Sequence, residues 1–263
     1  MSGDIRIERQ GAIGQLVIDY PARRNALTAA MWRKIPQLVA ELDADTSVRV
    51  VIVRGAGDQA FVAGADISEF ASLRMGDEAE EYDADNSRAF SALAELRKPL
   101  IAAIHGFCIG GGVAIAIGAD IRYAADDAVF AVPAARLGLG YPLDGVQNLV
   151  SVLGPAHAKE LFLSARRFSA AEALRLGLVN EVVPKAELDG YVHALASQIA
   201  EHAPLTLTAF KVGAATVSSP ARSADSAAAQ AARLAIRACF ESRDYREGID
   251  AFLNKRSPRF EGR

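Results

Sequence analysis

Apolar residues along this chain follow two periodicities, and the switches between them predict its elements. IRIERQ, a Gly-Ala turn and GQLVIDY alternate in the manner of paired strands and stop at Pro21. Thr28 then stands where a helix cap is expected, because Met31, Ile35, Leu38, Val39 and Leu42 recur at helical spacing. Pro36 falls inside that pattern and is expected to bend or locally break the helix. VRVVIVRG is a short β-branched run of the kind buried in a sheet interior. The stretch ASLRMGDEAEEYDADNS is rich in acid and poor in large apolar residues, and reads as a mobile surface segment or lid. RAFSALAELRK is helical and ends at Pro99.

PLIAAIHG enters the sheet, GGGVAIAIGAD is the next helix, and IRYAADDAVFAVP supplies two more extended runs. Three times an apolar extended run passes through small residues into a helix: near Gly64, near Gly110 to Gly112, and near Gly138 to Gly145. This repeated layout predicts an α/β fold. Ser169 and Glu172 have the spacing of a capping box, and Gly177 closes the helix they open. From about residue 186 the pattern is helical, ending in SADSAAAQAARLAIRACFES and YREGIDAFLNKR. The leucine, isoleucine and phenylalanine positions of these helices suggest packing on another subunit. The expected division is a core over 1–195 and a helical oligomerisation region over 196–263.

Composition narrows the class. With 51% hydrophobic residues, 23% charged residues and a net charge of -3, the chain sits among soluble globular proteins, away from disordered and nucleic-acid-binding ones. Two cysteines, Cys108 and Cys239, are too few for a disulfide framework or a zinc site and point to a reducing compartment. MSGDIRIERQ has no apolar signal region, and no run approaches the roughly 18 apolar residues of a membrane span. A cytoplasmic enzyme with no membrane or nucleic-acid partner is expected.

The candidate chemistry lies at HGFCIGGGVAIA, residues His105 to Ala116. Glycines before a helix let a ligand approach the backbone, and the first helical amides have no internal acceptor. No Lys-Ser/Thr follows, so this is not a P-loop, and the spacing is not that of a dinucleotide fingerprint. FVAGADISEF supplies a second run of small residues at Ala63, Gly64 and Ala65, just before a turn that Asp66 or Ser68 can cap. Two such turns, each after a buried strand, can aim one amide apiece at a single oxygen, the arrangement of an oxyanion hole.

RRNAL, FVAGADISEF, KPLIAAIHGFCIGGGVAIAIGADIRYA, ARRFSAAEALRLGLVNEVV and AFLNKRSPRF together resemble the enoyl-CoA hydratase/isomerase family, also called the crotonase family, in order over almost the whole chain. The resemblance implies a spiral of ββα units with a helical C-terminal region, a homotrimer or dimer of trimers, and an acyl-CoA thioester substrate. It implies no cofactor beyond the coenzyme A of the substrate, and no metal. It places the oxyanion donors at the amides of Ala65 and Gly111. Arg23, Arg24 and Ala26 fall where the family contacts coenzyme A. Ala63, Asp66 and Ile67 fall at the adenine pocket, and Phe252 and Lys255 fall near the nucleotide, in some members from a neighbouring subunit.

The family's two catalytic glutamates fall on Ala114 and Ala134, and a methyl group transfers no proton, so ordinary hydration or isomerisation is not expected. The polar candidates nearby are Tyr141 and Asp144 in LGLGYPLDGVQNL. That loop is similar to the methylmalonyl-CoA decarboxylase branch, which has tyrosine at the place of Tyr141 but histidine for Ala65 and glutamate for Ala114. A decarboxylase-like step is therefore favoured. The alternatives are a hydratase or isomerase using Tyr141 or Asp144, and a non-catalytic acyl-CoA binder. Asp144 before Gly145 also reads as a turn or helix cap. His105 stands where the family usually has asparagine and is expected to brace backbone. His157, His193 and His202 lack metal spacing, Glu160 reads as a solvated or salt-bridged helix residue, and Cys108 as an apolar filler. Residues 71–90 and 136–146 are expected to wall the acyl pocket.

Overall fold

A computed structural model describes the protein over residues 3–69, 78–218 and 226–263. The alternating N-terminal runs form β1 (Asp4–Gln10) and β2 (Ile13–Asp19), an antiparallel hairpin in register from Asp4 opposite Asp19 to Gln10 opposite Ile13. The β-branched run forms β3 (Val50–Gly55), which pairs in parallel with β2. β5 (Leu100–Ile104), β7 (Ile121–Ala125) and β10 (Glu181–Val183) extend the sheet in the order β1-β2-β3-β5-β7-β10. A smaller sheet holds β4 (Ala60–Val62), β6 (Phe107–Ile109), β8 (Val129–Ala131) and β9 (Phe168–Ser169) in that order.

The chain passes from the large sheet to the small one three times, from β3 to β4, β5 to β6 and β7 to β8. The helices after these crossings are α2 (Glu78–Glu95), α3 (Gly111–Ile117) and α4 (Leu143–Ser164), so the unit ββα recurs as a spiral. The crossings nest tightly. At Gly106, whose φ is +51°, a Cβ would lie 2.0 Å from the carbonyl oxygen of Gln59, so no side chain fits. Backbone bonds lock the nested turns: Phe61 N donates to His105 O at 2.6 Å, and Val129 N to Gly106 O at 2.9 Å.

Helix α1 (Ala29–Ala44) starts at Thr28, whose hydroxyl accepts from Met31 N at 3.3 Å. It runs through Pro36 without the expected break. One backbone bond is forgone there, but Trp32 and Ile35 before the proline and Val39 and Leu42 after it are all buried on the core side, and that packing outweighs the lost bond. A second correction concerns the acidic stretch. Residues 78–87 are helical and continuous with the run from Arg88, while 71–77 lie outside the described residues. Tyr82, Asp85, Ala89 and Leu93 form the buried stripe of α2. Asp85 hides the pattern because it is charged, yet Arg88 neutralises it at 2.5 Å and Arg33 at 3.8 Å.

α5 (Ala170–Arg175) opens with the expected capping box: Glu172 N donates to Ser169 Oγ at 3.3 Å and Ser169 N to Glu172 Oε2 at 2.9 Å. The main core, which includes Trp32, Phe61, Phe130 and Phe168, lies between the sheets and α1 to α5. A smaller core lies where α6 (Leu188–Ala200) covers Ile13, Val50, Ile52 and Ile101 of the large sheet. The 195/196 division falls inside α6. α7 (Pro204–Ser218), α8 (Ala227–Glu241) and α9 (Arg243–Leu253) complete the α-helices of the described residues. Between them lies an apolar groove of about 1030 Å³ lined by exposed Phe210, Val217, Phe240, Phe252 and Leu253. Among the described residues no helix is long and apolar enough to cross a membrane.

Candidate active site

Beyond β4 the chain makes its first small-residue turn. Ala63 N donates to Arg24 O at 3.0 Å, Leu27 N to Gly64 O at 2.8 Å, and Asp66 N to Leu27 O at 2.8 Å. This parallel bridge uses the groups on either side of Ala65 and therefore turns the Ala65 N–H the other way. Beyond β6, Gly110 adopts φ +53° and donates to Ala131 O at 2.8 Å, leaving Gly111 N as the first helical amide of α3. Among the described residues neither the Ala65 nor the Gly111 amide donates a hydrogen bond. The turns face each other, since a Cβ on Gly111 would lie 4.0 Å from Ala65 N. Covalent geometry then keeps the two nitrogens within about 6.5 Å.

Both turns open into a cavity of about 200 Å³. Of the residues singled out from the sequence, its wall holds Ala63, Ala65, Ile67, Gly111, Tyr141 and Asp144, together with Ala114 and Ala134. Arg23, Arg24, Ala26, Asp66, Phe252 and Lys255 are not part of this wall. Asp66 is buried, and its carboxylate accepts from Ser68 Oγ at 2.7 Å and Ser68 N at 3.0 Å. Those bonds, with the charge of Arg23, hold it below the usual carboxylate range. Arg24 lies with its guanidinium 4.6 Å from the centroid of the Phe107 ring. Ala26 is buried. Phe252 is 84% exposed on α9, and Lys255 lies just past that helix with φ +52°.

Tyr141 is half-buried and meets Phe162 edge-on, with ring centroids 5.0 Å apart. Burial pushes its hydroxyl up to about 12, helped by the negative charge of Asp144, so at neutral pH it holds its proton. Asp144 sits in the first turn of α4, where its Oδ1 accepts from Gly145 N at 2.8 Å. Its Oδ2 accepts from Ser87 Oγ of α2 at 3.1 Å, so it occupies a first-turn amide of α4 and ties that helix to α2, while the cap position is held by Pro142.

Tyr82, Asp83, Asn86, Ser87 and Phe90 of α2 line the cavity, inside the 71–90 stretch expected to wall the acyl pocket. Sequence reasoning missed that this part of the wall is helical: the spacing of 82, 86 and 90 was the signal, which the acid-rich composition masked. It also missed Trp32, whose ring meets Phe90 at 5.3 Å and reaches within 3.0 Å of a Cβ position on Gly111. The side chain of His105, expected to brace backbone, instead meets another side chain, Nε2 lying 2.9 Å from Asp189 Oδ1 of α6, while the His105 carbonyl accepts from Phe61 N at 2.6 Å. Cys108 is fully buried, which pushes its thiol up. Glu160 pairs with Arg166 at 3.1 Å. The described residues contain no cluster of three or more His, Cys, Asp or Glu able to hold a metal, and His157, His193 and His202 form none.

The chain is similar to known proteins along nearly its whole length. A family profile described as Enoyl-CoA hydratase/isomerase matches residues 8–263. The chain is 34% identical to a short-chain-enoyl-CoA hydratase of Clostridium acetobutylicum over 253 residues, covering 96% of this chain and 95% of that one. It is 36% identical to a carnitinyl-CoA dehydratase of Escherichia coli O157:H7 over 268 residues, covering all of both chains. The crystal structure of an enoyl-CoA hydratase/carnithine racemase from Magnetospirillum magneticum superposes with a TM-score of 0.92 at 36% identity, covering 98% of this chain and 96% of that one. A match that spans both sheets, both turns and the C-terminal helices leaves one conclusion: the chain belongs to the enoyl-CoA hydratase/isomerase family.

Proposed function

We propose that the protein converts an acyl-CoA thioester through an enolate whose oxygen is held by the amides of Ala65 and Gly111, and that the step is decarboxylation. One observation carries the reading: two unpaired amides from separate turns face each other at the wall of one cavity. Each such donor is worth about a hundredfold to a thousandfold in rate. The bond from the α-carbon to the departing carboxylate carbon breaks, and its electron pair enters the bond between the α-carbon and the thioester carbon. The thioester oxygen takes the charge, carbon dioxide leaves, and Tyr141 gives its proton to the α-carbon and regains one from solvent.

Decarboxylation asks for a proton donor and no base. Support comes from Tyr141, a phenol that keeps its proton, and from the methyl groups of Ala114 and Ala134 where carboxylates would act. In this reading Arg23, Arg24, Ala26, Ala63, Asp66 and Ile67 hold coenzyme A, and Phe252 and Lys255 reach it from a neighbouring subunit of a trimer or dimer of trimers. The apolar groove of α7 to α9 supports that assembly. No cofactor beyond coenzyme A is needed.

A second reading, hydration or dehydration with Asp144 as the carboxylate, is favoured by its place in the cavity wall and by the relatives' names. The test is turnover of methylmalonyl-CoA, crotonyl-CoA and a 3-ketoacyl-CoA by the purified protein. Carbon dioxide released from methylmalonyl-CoA is the expected result. Hydration of crotonyl-CoA alone replaces the first reading with the second. Coenzyme A binding without turnover of any of them makes the protein a binder.

A further inference from the structure

Several arginines of the described chain meet a carboxylate: Arg6, Arg9, Arg54, Arg97 and Arg256, for example, are all in ion pairs. The neighbours Arg166 and Arg167 divide sharply. Arg166 is gripped by Glu172 at 2.7 Å and Glu160 at 3.1 Å, and stacks on Phe168 at 3.6 Å. Arg167 is exposed, meets no carboxylate among the described residues, and lies 5.9 Å from the centroid of the Phe107 ring. Arg24 lies 4.6 Å from the same centroid and is likewise exposed without a carboxylate among the described residues. Two guanidinium groups gathered on one ring repel each other, and the aromatic face offsets only part of that. An anion beside them removes the repulsion and fills both forks with oxygen acceptors.

The location supplies the anion. Phe107 lies on β6 two residues before Ile109, on the same face of the strand, and Ile109 is in the cavity wall. The carbonyl of Arg24 holds Ala63 N, and Ala63 is in that wall as well. The cationic pair therefore lies along the small sheet just beyond the cavity wall, and in the acyl-CoA reading the thioester's carrier leaves on that side.

We infer that Arg167, together with Arg24 across the Phe107 ring, binds a phosphate of the coenzyme A carrier and is a specificity-determining residue for phosphate-bearing thioesters. The inference rests on the acyl-CoA reading. It adds a residue from the segment before β9 that the family resemblance did not bring to the coenzyme A site. The neighbouring Arg166 does not share the role, because its fork is already filled.

The test compares wild-type protein with Arg167→Gln, using coenzyme A and 3′-dephospho-coenzyme A in calorimetry and pantetheine in ligand-observed NMR. Arg167 is exposed, so the variant folds. The expected result is coenzyme A affinity about fivefold weaker, the equivalent of one exposed ion pair. The loss shrinks in high salt, pantetheine binding is unchanged, and Arg167→Lys recovers part of the loss. If dephospho-coenzyme A loses the same factor, the contact is with the diphosphate. If it is indifferent, the contact is with the 3′-phosphate. Equal losses for all three ligands, or none, overturn the inference and leave the acyl-CoA reading standing. Failure of wild-type protein to bind coenzyme A or pantetheine overturns that reading, and this inference with it.

Discussion

Gly111→Ala tests the oxyanion device with a single methyl group. The new Cβ lies 3.0 Å from Trp32 Cζ2 and 3.1 Å from Cη2, about 0.4 Å inside the 3.4 Å at which ordinary contact begins. Trp32 is 1% exposed and Phe90 packs edge-on against it, so the indole has nowhere to go. The first turn of α3 must yield, and it carries the Gly111 amide. Oxyanion donors work over roughly 2.7 to 3.1 Å, so a displacement of about 0.4 Å spans that whole window. The expected outcome is a kcat lower by about a hundredfold on whichever acyl-CoA the wild type converts. Stability should fall by about 1 kcal/mol, the lower range for overpacking. Coenzyme A affinity, measured by calorimetry, should hold within about twofold, since the contact lies at the thioester and not at the nucleotide. Adding Trp32→Phe removes the opposing ring edge and should return part of the lost kcat, a coupling that two independent lesions would not show. A folded Gly111→Ala enzyme with a kcat within about threefold of wild type would refute the assignment of this amide.

Tyr141→Phe should lower kcat by about a hundredfold with KM little changed, read from steady-state kinetics, if the hydroxyl is the proton donor. The same hydroxyl predicts a pH effect on stability. Its folded value, about 12, lies above the unfolded value near 10, so the folded state holds more protons and stability falls as pH rises between them. Urea unfolding of wild type should lose about 1.4 kcal/mol more than Tyr141→Phe between pH 9 and pH 11. Asn25→Ala should destabilise on the order of 3 kcal/mol by urea titration. Asn25 is 1% exposed at φ +57°, accepts from Tyr20 N at 2.9 Å and donates to Ala60 O at 2.7 Å and Ala56 O at 3.0 Å. An Asn25→Ala midpoint equal to wild type would show those bonds to be replaceable by water.

Strands, the α1 stripe and the capping box at Ser169 were readable because each rests on local chemistry: alternation, period and a hydroxyl at a fixed offset. The two small-residue turns were readable for the same reason, since glycines clustered after a buried strand point to a turn that leaves backbone accessible. What failed to show was long-range. Asp85 looked like surface until Arg33 and Arg88 were seen beside it, and with it went the helical form of residues 78–87. Pro36 looked like a break because its neighbours' burial is not visible in the sequence. The joint approach of Arg24 and Arg167 to Phe107 joins residues more than 140 positions apart, beyond any spacing rule.

In the proposed mechanism the charge-holding atoms belong to the main chain, pinned by nested sheet crossings, whereas Ala114 and Ala134 are side chains on separate elements of the wall. Reagents and frame are thus inherited independently. A lineage built this way can exchange its chemistry codon by codon, without re-founding its architecture.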